Sequence, residues 1–202
     1  MAADLAVRSA AEGQIRGRVA AALPAGATIA GPTTAEIDSF PFLGRLLTSG
    51  EVSRIRVAAA DVTVEGLTFA KVGVDLRRVT FDRDRLLSGR KVVLSTLTRG
   101  TATAEVTQEQ LSERLGLDVT LLTGKAQVQV AGQTVTAAAS VTDNTLRLSV
   151  TGLSVPALRI PKLPLVPCVA DVVILPGRIR LTCSVDEVPA ALVGRPLAEI
   201  NP

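Results

Sequence analysis

The hydrophobic residues of this chain recur mainly at every second position, and the alternation is clearest in its second half. Val128 and Val130 come before an Ala-Gly turn signal, and apolar and polar residues then alternate from Val135 to Val141. A return strand carries Leu146 and Leu148, and the intervening positions are mostly polar. Alternation of this kind predicts antiparallel strands with one apolar and one polar face, which cover a single side of a sheet.

An earlier part of the chain shows the same period. Glu65-Gly66 predicts a two-residue hairpin between two alternating runs. The parity of the apolar positions changes between Phe69 and Val72, and again between Leu76 and Val79. These changes predict β-bulges that bend the sheet.

Two segments follow a helical period instead. Residues 3–23 predict an amphipathic helix that Pro24 ends, and residues 108–115 predict a short helix with a capping box at Thr107 and a stop at Gly116. Strands are expected at about 52–106 and at about 118–185. The chain is therefore predicted to be one α+β domain over residues 1–202.

The last strand pair is the most constrained part of the pattern. A turn at Pro176-Gly177 pairs Ile174 with Ile179 and Val172 with Leu181, and it places Cys168 and Cys183 on the same apolar face. Their diagonal spacing is slightly long for a disulfide unless a bend at Pro167 or a β-bulge brings them closer. We expect a Cys168–Cys183 disulfide, which implies an oxidising compartment; two buried free thiols are the alternative.

The amino-acid composition disfavours several kinds of catalytic and metal site. The chain is 47% hydrophobic, yet it has no histidine, tryptophan or tyrosine, one methionine and four phenylalanines. Histidine is the usual general base and metal ligand near neutral pH, so serine-triad and common zinc chemistry are disfavoured. A hydrolase with paired carboxylates is left open. We expect a protein that is not an enzyme and that uses no metal and no cofactor.

Charge is unevenly placed along the chain. Residues 71–99 contain eight Lys or Arg against three acids, whereas the whole chain carries a net charge of only +3. We assign Arg83, Arg85 and Arg90 to the binding of anionic lipid head groups; a solvated charged surface is the alternative. Nucleic acid is not expected as a partner, because no tyrosine or tryptophan is present to stack on bases.

The chain contains no apolar stretch long enough to cross a bilayer and no secretory signal at its start. Either the protein is cytoplasmic, or an export segment has been removed from this sequence. The cysteine pair favours the second alternative.

One segment has a specific resemblance. Residues 39–50 read Ser-Phe-Pro-Phe-Leu-Gly-Arg-Leu-Leu-Thr-Ser-Gly, and a Leu163-Pro164-Leu165 segment leads to the final hairpin. Both resemble the LmeA family of phospholipid-binding proteins of the actinobacterial cell envelope. The resemblance implies a curved antiparallel sheet that wraps an N-terminal helix and short helices, as a half-barrel similar to tubular lipid-binding domains. It also implies an extracytoplasmic, membrane-associated protein that binds phospholipid and supports envelope glycolipid maturation.

These observations together predict a monomeric, non-enzymatic phospholipid binder. A scaffold or protein-interaction module of the envelope with a solid core is the alternative. The expected lining of an acyl-chain cavity is Val72, Val74, Val128, Val130, Val135, Val141, Leu146 and Leu148. Phe40 and Phe42 are expected near its opening, in an apolar element completed by Leu43, Leu46 and Leu47 that gates the entrance or dips into a membrane interface. An ordinary helix packed on the sheet is the alternative for that element.

Overall fold

The computed structural model describes residues 2–89, 92–142, 145–149, 157–159 and 171–188. The helices are α1 (Ala2–Arg18), α2 (Phe42–Ser49), α3 (Arg83–Gly89) and α4 (Gln108–Leu115), with a 3₁₀ turn at Ala20–Ala22. The strands are β1 (Thr28–Ile29), β2 (Thr33–Asp38), β3 (Glu51–Val64), β4 (Leu67–Phe81), β5 (Leu94–Thr107), β6 (Asp118–Leu122), β7 (Lys125–Val130), β8 (Gln133–Thr142), β9 (Thr145–Ser149), β10 (Leu158–Arg159), β11 (Asp171–Leu175) and β12 (Arg178–Val185).

The strands form two antiparallel sheets. The larger sheet has the order β1-β3-β4-β5-β12-β11, with β2 paired to β3, and the smaller has the order β10-β9-β8-β7-β6. The predicted α+β class with curved antiparallel sheets and an N-terminal helix is confirmed. The final hairpin, however, joins the first strand group, because β12 pairs with β5 from Arg178↔Thr107 to Val185↔Gly100.

The two predicted helices are present, and the first is shorter than expected. α1 ends at Arg18, and the chain continues through the 3₁₀ turn to Leu23, whose ψ of 157° is extended. A residue that precedes proline avoids the helical region, so Pro24 accounts for this extended conformation. In α4 the capping box is formed by Thr107 and Gln110, and Gly116 ends the helix in a left-handed conformation.

The β3–β4 hairpin turns at Glu65 and Gly66, whose φ values of 50° and 75° belong to a tight hairpin turn. The predicted bulges are absent from the β3–β4 pairing, whose register is the same on both sides of each parity change. Instead Asp61 (φ 51°) and Arg78 (φ 47°) adopt left-handed conformations where the apolar face changes parity. The two strands therefore change face together, which preserves their pairing.

Apolar side chains form two clusters. The inter-sheet cluster fills the space between the two sheets, and its fully buried members include Val62, Leu111, Val119, Val128 and Ile179. The helical-end cluster packs α1 and α2 against the opposite end of the larger sheet. It contains Ile37, Phe42, Val52, Ile55, Val79, Leu94 and Leu97.

The final hairpin connects the two sheets at one edge. Ile174 faces Ile179 and Val172 faces Leu181, which confirms the predicted register. Beyond that pairing, the Gly124 N–H donates to the Ile174 carbonyl at 3.0 Å, and the Gly177 N–H donates to the Leu121 carbonyl at 3.0 Å. These bonds satisfy backbone groups at the edge of β11 and hold the sheets together there.

Candidate functional site

Some of the predicted lining residues are fully buried in the structure, and others are partly exposed. Val128, Leu146 and Leu148 lie within the inter-sheet cluster, and Val128 has no accessible surface. A side chain that a water-sized sphere cannot touch has packed atoms on all sides, so it does not border a void of that size. In this conformation, Val128 is part of the packed core.

Four other predicted residues remain partly accessible. Val72, Val130, Val135 and Val141 pack against the inter-sheet cluster but are only partly buried, and we call them the rim residues. Val135 faces Val128 across β7–β8, and Val141 faces Leu146 across β8–β9. The rim residues therefore present aliphatic surface directly beside the buried core.

Further partly buried side chains join the same region, although the sequence pattern did not assign them to a site. They are Val19, Leu23 and Ile29 from the segment after α1, Leu115 and Leu117 at the end of α4, and Val172 from β11. Only their positions in the fold bring them against the inter-sheet cluster, because they come from helical, turn and edge-strand segments.

Val74 lies apart from this region. It pairs with Val57 on one side and with Ala102 on the other, in the middle of the larger sheet. On the polar face of that sheet, a groove of about 360 Å³ is lined by Thr34, Glu36, Arg56, Val57, Ala58, Lys71, Gly73, Val74, Asp75, Thr101 and Thr103. Four charged residues, Glu36, Arg56, Lys71 and Asp75, border the groove, and covering them with an acyl chain would remove them from water, so the groove is unsuited to an acyl chain.

The Phe-Pro-Phe-Leu segment forms the entry to α2 and separates its two phenylalanines. Phe42 is 4% exposed in the helical-end cluster, whereas Phe40 is 67% exposed. Leu43 and Leu46 are partly buried against the same cluster, and Leu47 faces solvent. The alternative of an ordinary packed helix thus describes the buried side of α2, whereas Phe40, which precedes the helix, and Leu47 expose apolar side chains to solvent.

Asp4 of α1 fixes the start of α2. Its carboxylate accepts the Phe42 N–H at 3.1 Å and the Leu43 N–H at 2.7 Å, two of the backbone groups that a helix start leaves unpaired. These hydrogen bonds, that from Leu43 above all, hold the pKa of Asp4 below its ordinary value. Glu12 similarly accepts the Ile37 N–H of β2 at 2.9 Å. α1 is therefore attached to both α2 and the sheet edge.

Two of the predicted head-group arginines lie on α3. Arg83 is 3.7 Å from Asp84 and donates to the Thr48 carbonyl at 3.1 Å, and Arg85 is 3.4 Å from Asp82. Both side chains are about half exposed, at 49% and 54%. Arg90 lies outside the described residues. Arg83 and Arg85 therefore remain accessible beside the end of α2.

One other basic residue of the 71–99 stretch, Arg77, lies beside an acidic residue of the larger sheet that Arg54 also contacts. Arg54 donates twice to Asp75, at 2.8 and 2.5 Å, and Arg77 lies 3.6 Å from the same carboxylate. The hydrogen bonds from Arg54 hold the pKa of Asp75 below its ordinary value. This part of the stretch fits the alternative of a charged sheet surface.

The remaining predicted features concern cysteine and metal chemistry. Cys183 is half-buried on β12 opposite Ala102, and Cys168 lies outside the described residues. Within the described ranges, no three His, Cys, Asp or Glu side chains are grouped so that they could hold a metal ion. Among the helices of the described chain, none has the length and apolar character needed to cross a membrane.

Comparison with known proteins bears on the whole chain. A family model described as LmeA-like phospholipid-binding matches residues 2–184. No curated protein matches the chain, and no solved structure does. The matched range begins in α1 and ends in β12, so it includes the rim residues and the Phe-Pro-Phe-Leu segment.

Proposed function

Because this chain belongs to the LmeA-like phospholipid-binding family, we propose that it is a non-enzymatic phospholipid-binding protein of the cell envelope. It holds acyl chains against aliphatic side chains and supports envelope glycolipid maturation or lipid transfer. The observation that carries the proposal is the family match over residues 2–184.

The acyl chain is proposed to enter beside the rim residues. Val72, Val130, Val135 and Val141 offer aliphatic surface that is already partly accessible, whereas Val128 offers none. A chain placed against the rim residues would remove apolar surface from water, at about 0.8 kcal/mol for each methylene buried. The rim residues would then rest on the buried side chains of Leu146, Leu148 and Val128. Those buried side chains would contact lipid only if the two sheets separated.

The head group is proposed to be anionic. Arg83 and Arg85 keep about half of their side-chain surface despite their contacts with Asp84 and Asp82. A guanidinium group binds a phosphate through paired hydrogen bonds, and the Asp84 carboxylate, which is 90% exposed, competes for Arg83 only weakly. Arg90 is included in this proposal on its place in the sequence alone.

One observation favours the alternative of an envelope scaffold. Several predicted lining residues are packed as core, with Val128 at 0% and Leu148 at 5% exposure. A domain whose aliphatic faces only pack against each other would need no lipid. The two functions differ in whether the folded protein carries lipid, so the mass of the folded protein distinguishes between them.

Native mass spectrometry should show the monomer with one or more phospholipids bound. The burial of acyl methylenes keeps the complex together during purification, and collisional activation should release a lipid of discrete mass. A bare polypeptide mass, both as purified and after incubation with phospholipid vesicles, would support the scaffold function instead.

The compartment is proposed to be extracytoplasmic, on the basis of the cysteines. Cys183 lies on β12, and the pairing of this strand with β11 agrees with the hairpin on which the disulfide prediction was based. A disulfide that closes a loop of this length contributes about 3 kcal/mol. Structural disulfides are retained mainly in oxidising compartments.

Thiol titration tests that proposal. Denatured, unreduced protein should show no free thiol, and the same protein after reduction should show two, from Cys168 and Cys183. Reduction of the folded protein should also lower its melting temperature. Two free thiols before reduction would remove the main support for export.

A further inference from the structure

Exposed large apolar side chains concentrate on the helices of this protein. Among the described residues there are seven: Leu5, Val7, Phe40, Leu47, Leu87, Val92 and Val173. The first six lie in α1, α2 or α3 or within three residues of these helices, and Val173 alone lies on a sheet edge. A soluble protein rarely exposes clustered large apolar side chains without a partner.

Hydrogen bonds place the three helices together at one end of the molecule. Asp4 binds the first turn of α2, and Arg83 at the start of α3 binds the Thr48 carbonyl at the end of α2. The Phe81 N–H also donates to the Gly50 carbonyl at 2.9 Å, which holds the residues after α2 against the approach to α3.

Four of the exposed side chains lie close to these hydrogen bonds. Leu5 follows Asp4, Phe40 precedes Phe42 by two residues, Leu47 precedes Thr48, and Leu87 lies one turn after Arg83. We call Leu5, Phe40, Leu47 and Leu87 the helical docking surface. They come from separate segments, and none is needed for the core, since each is about half exposed or more.

The charge beside this surface indicates its partner. Arg45, Arg83 and Arg85 lie on α2 and α3, and their side chains are 45%, 49% and 54% exposed although each lies 3.4–3.7 Å from an acidic side chain. Exposed apolar side chains next to positive charge are typical of proteins that lie on anionic membranes, because the apolar groups enter the interface while the cations meet phosphate.

We propose that the helical docking surface inserts into the interface of an anionic phospholipid bilayer and orients the protein with α1, α2 and α3 toward the membrane. This inference rests on the proposed phospholipid-binding function and adds to it the surface by which the protein reaches its lipid. The rim residues, which lie at the inter-sheet cluster, remain the proposed acyl-chain site.

Vesicle co-sedimentation with matched variants tests the docking surface. The double variant Leu47→Asp/Leu87→Asp should bind vesicles of phosphatidylglycerol and phosphatidylcholine at least about tenfold more weakly than the unaltered protein, since two leucine side chains no longer enter the interface. Val173→Asp is the control, because Val173 is 49% exposed, close to the 48% of Leu47, but lies on the β11 edge. Its vesicle binding should be unchanged.

A tryptophan reporter measures insertion directly. The chain has no tryptophan and no tyrosine, so a single introduced indole gives the whole signal. The emission of Phe40→Trp should shift to shorter wavelength when vesicles are added, and that of Val173→Trp should not. Equal shifts from both positions, or no shift from Phe40→Trp, would contradict the proposal even if the aspartate variants proved unstable.

Two further arms separate docking from lipid binding itself. Binding of a short-chain phospholipid below its micellar concentration should be unchanged in Leu47→Asp/Leu87→Asp; its loss would assign these residues to the lipid site and overturn the docking inference. If the unaltered protein binds vesicles but no short-chain phospholipid, the acyl-chain function fails and docking stands.

Arg83→Glu/Arg85→Glu should weaken vesicle binding, as should added salt, and unchanged binding would contradict an anionic membrane as the partner.

Discussion

Replacing Val135 with tryptophan should prevent phospholipid uptake while the protein stays folded. Val135 is a partly accessible rim residue on β8 beside the fully buried Val128. An indole at this position can extend along the accessible surface, where it occupies the space proposed for an acyl chain. Displacing about two methylene groups, at about 0.8 kcal/mol each, weakens binding about tenfold. Uptake of short-chain phospholipid, followed by native mass spectrometry, measures the effect.

Two controls define what this result means. Thr136→Trp places the same indole one residue away on the exposed face of β8, so uptake should be normal. Leu148→Trp overpacks a side chain that is only 5% exposed and should lower the free energy of unfolding by about 1–3 kcal/mol. If Val135→Trp destabilised the protein as much as Leu148→Trp, Val135 would be core, and the scaffold function would gain support.

The local pattern of the sequence predicted most of the local structure. Alternation predicted strands β3, β4, β7, β8 and β9, Thr107 and Gln110 predicted the capping box of α4, and the Pro176-Gly177 turn predicted the register of the last hairpin. Each of these features depends on neighbouring residues, which is why the sequence alone predicted them. The family resemblance, based on the Phe-Pro-Phe-Leu segment, is confirmed by the match over residues 2–184.

The sequence did not predict features that depend on pairing between distant parts of the chain. Nothing in residues 178–185 indicates that β12 pairs with β5 rather than with the strands that precede it. β2 was not predicted, because its inward positions, Ala35 and Ile37, give only a short and weakly apolar alternation. α3 is seven residues long and lies in the basic stretch, where its charges hid a helix that Asp82 starts by accepting the Arg85 N–H.

The sequence also could not predict which of the proposed lining residues are buried in the core and which keep accessible surface. A period of two shows which residues share a face, but not how deeply that face is covered. Val128 and Val135 therefore looked equivalent in the sequence, although only Val135 keeps accessible surface. The exposure of Leu5 and Leu87 was equally hidden, because it depends on how α1 and α3 pack at the two ends of α2.

The two phenylalanines that flank Pro41 should differ sharply when each is replaced by alanine. Phe42 is 4% exposed and packs in the helical-end cluster, so Phe42→Ala should lower the free energy of unfolding by about 3–5 kcal/mol. For a chain of this size, that corresponds to a fall in melting temperature of about 10 °C. Phe40→Ala should change the stability by less than about 0.5 kcal/mol, since Phe40 is 67% exposed.

The two alanine substitutions should have the opposite order of effects on vesicle binding. Phe40→Ala removes an accessible side chain of the helical docking surface, so vesicle binding should weaken while thermal stability is kept. Phe42→Ala, measured below its melting temperature, should bind vesicles as long as Asp4 still holds the first turn of α2 through the Phe42 and Leu43 N–H groups, which an alanine retains. Thermal denaturation and vesicle co-sedimentation of both variants give the comparison. A stable Phe42→Ala protein with weak vesicle binding would show that Phe42 leaves the cluster to contact lipid, and the assignment of Phe42 to the core would then be wrong.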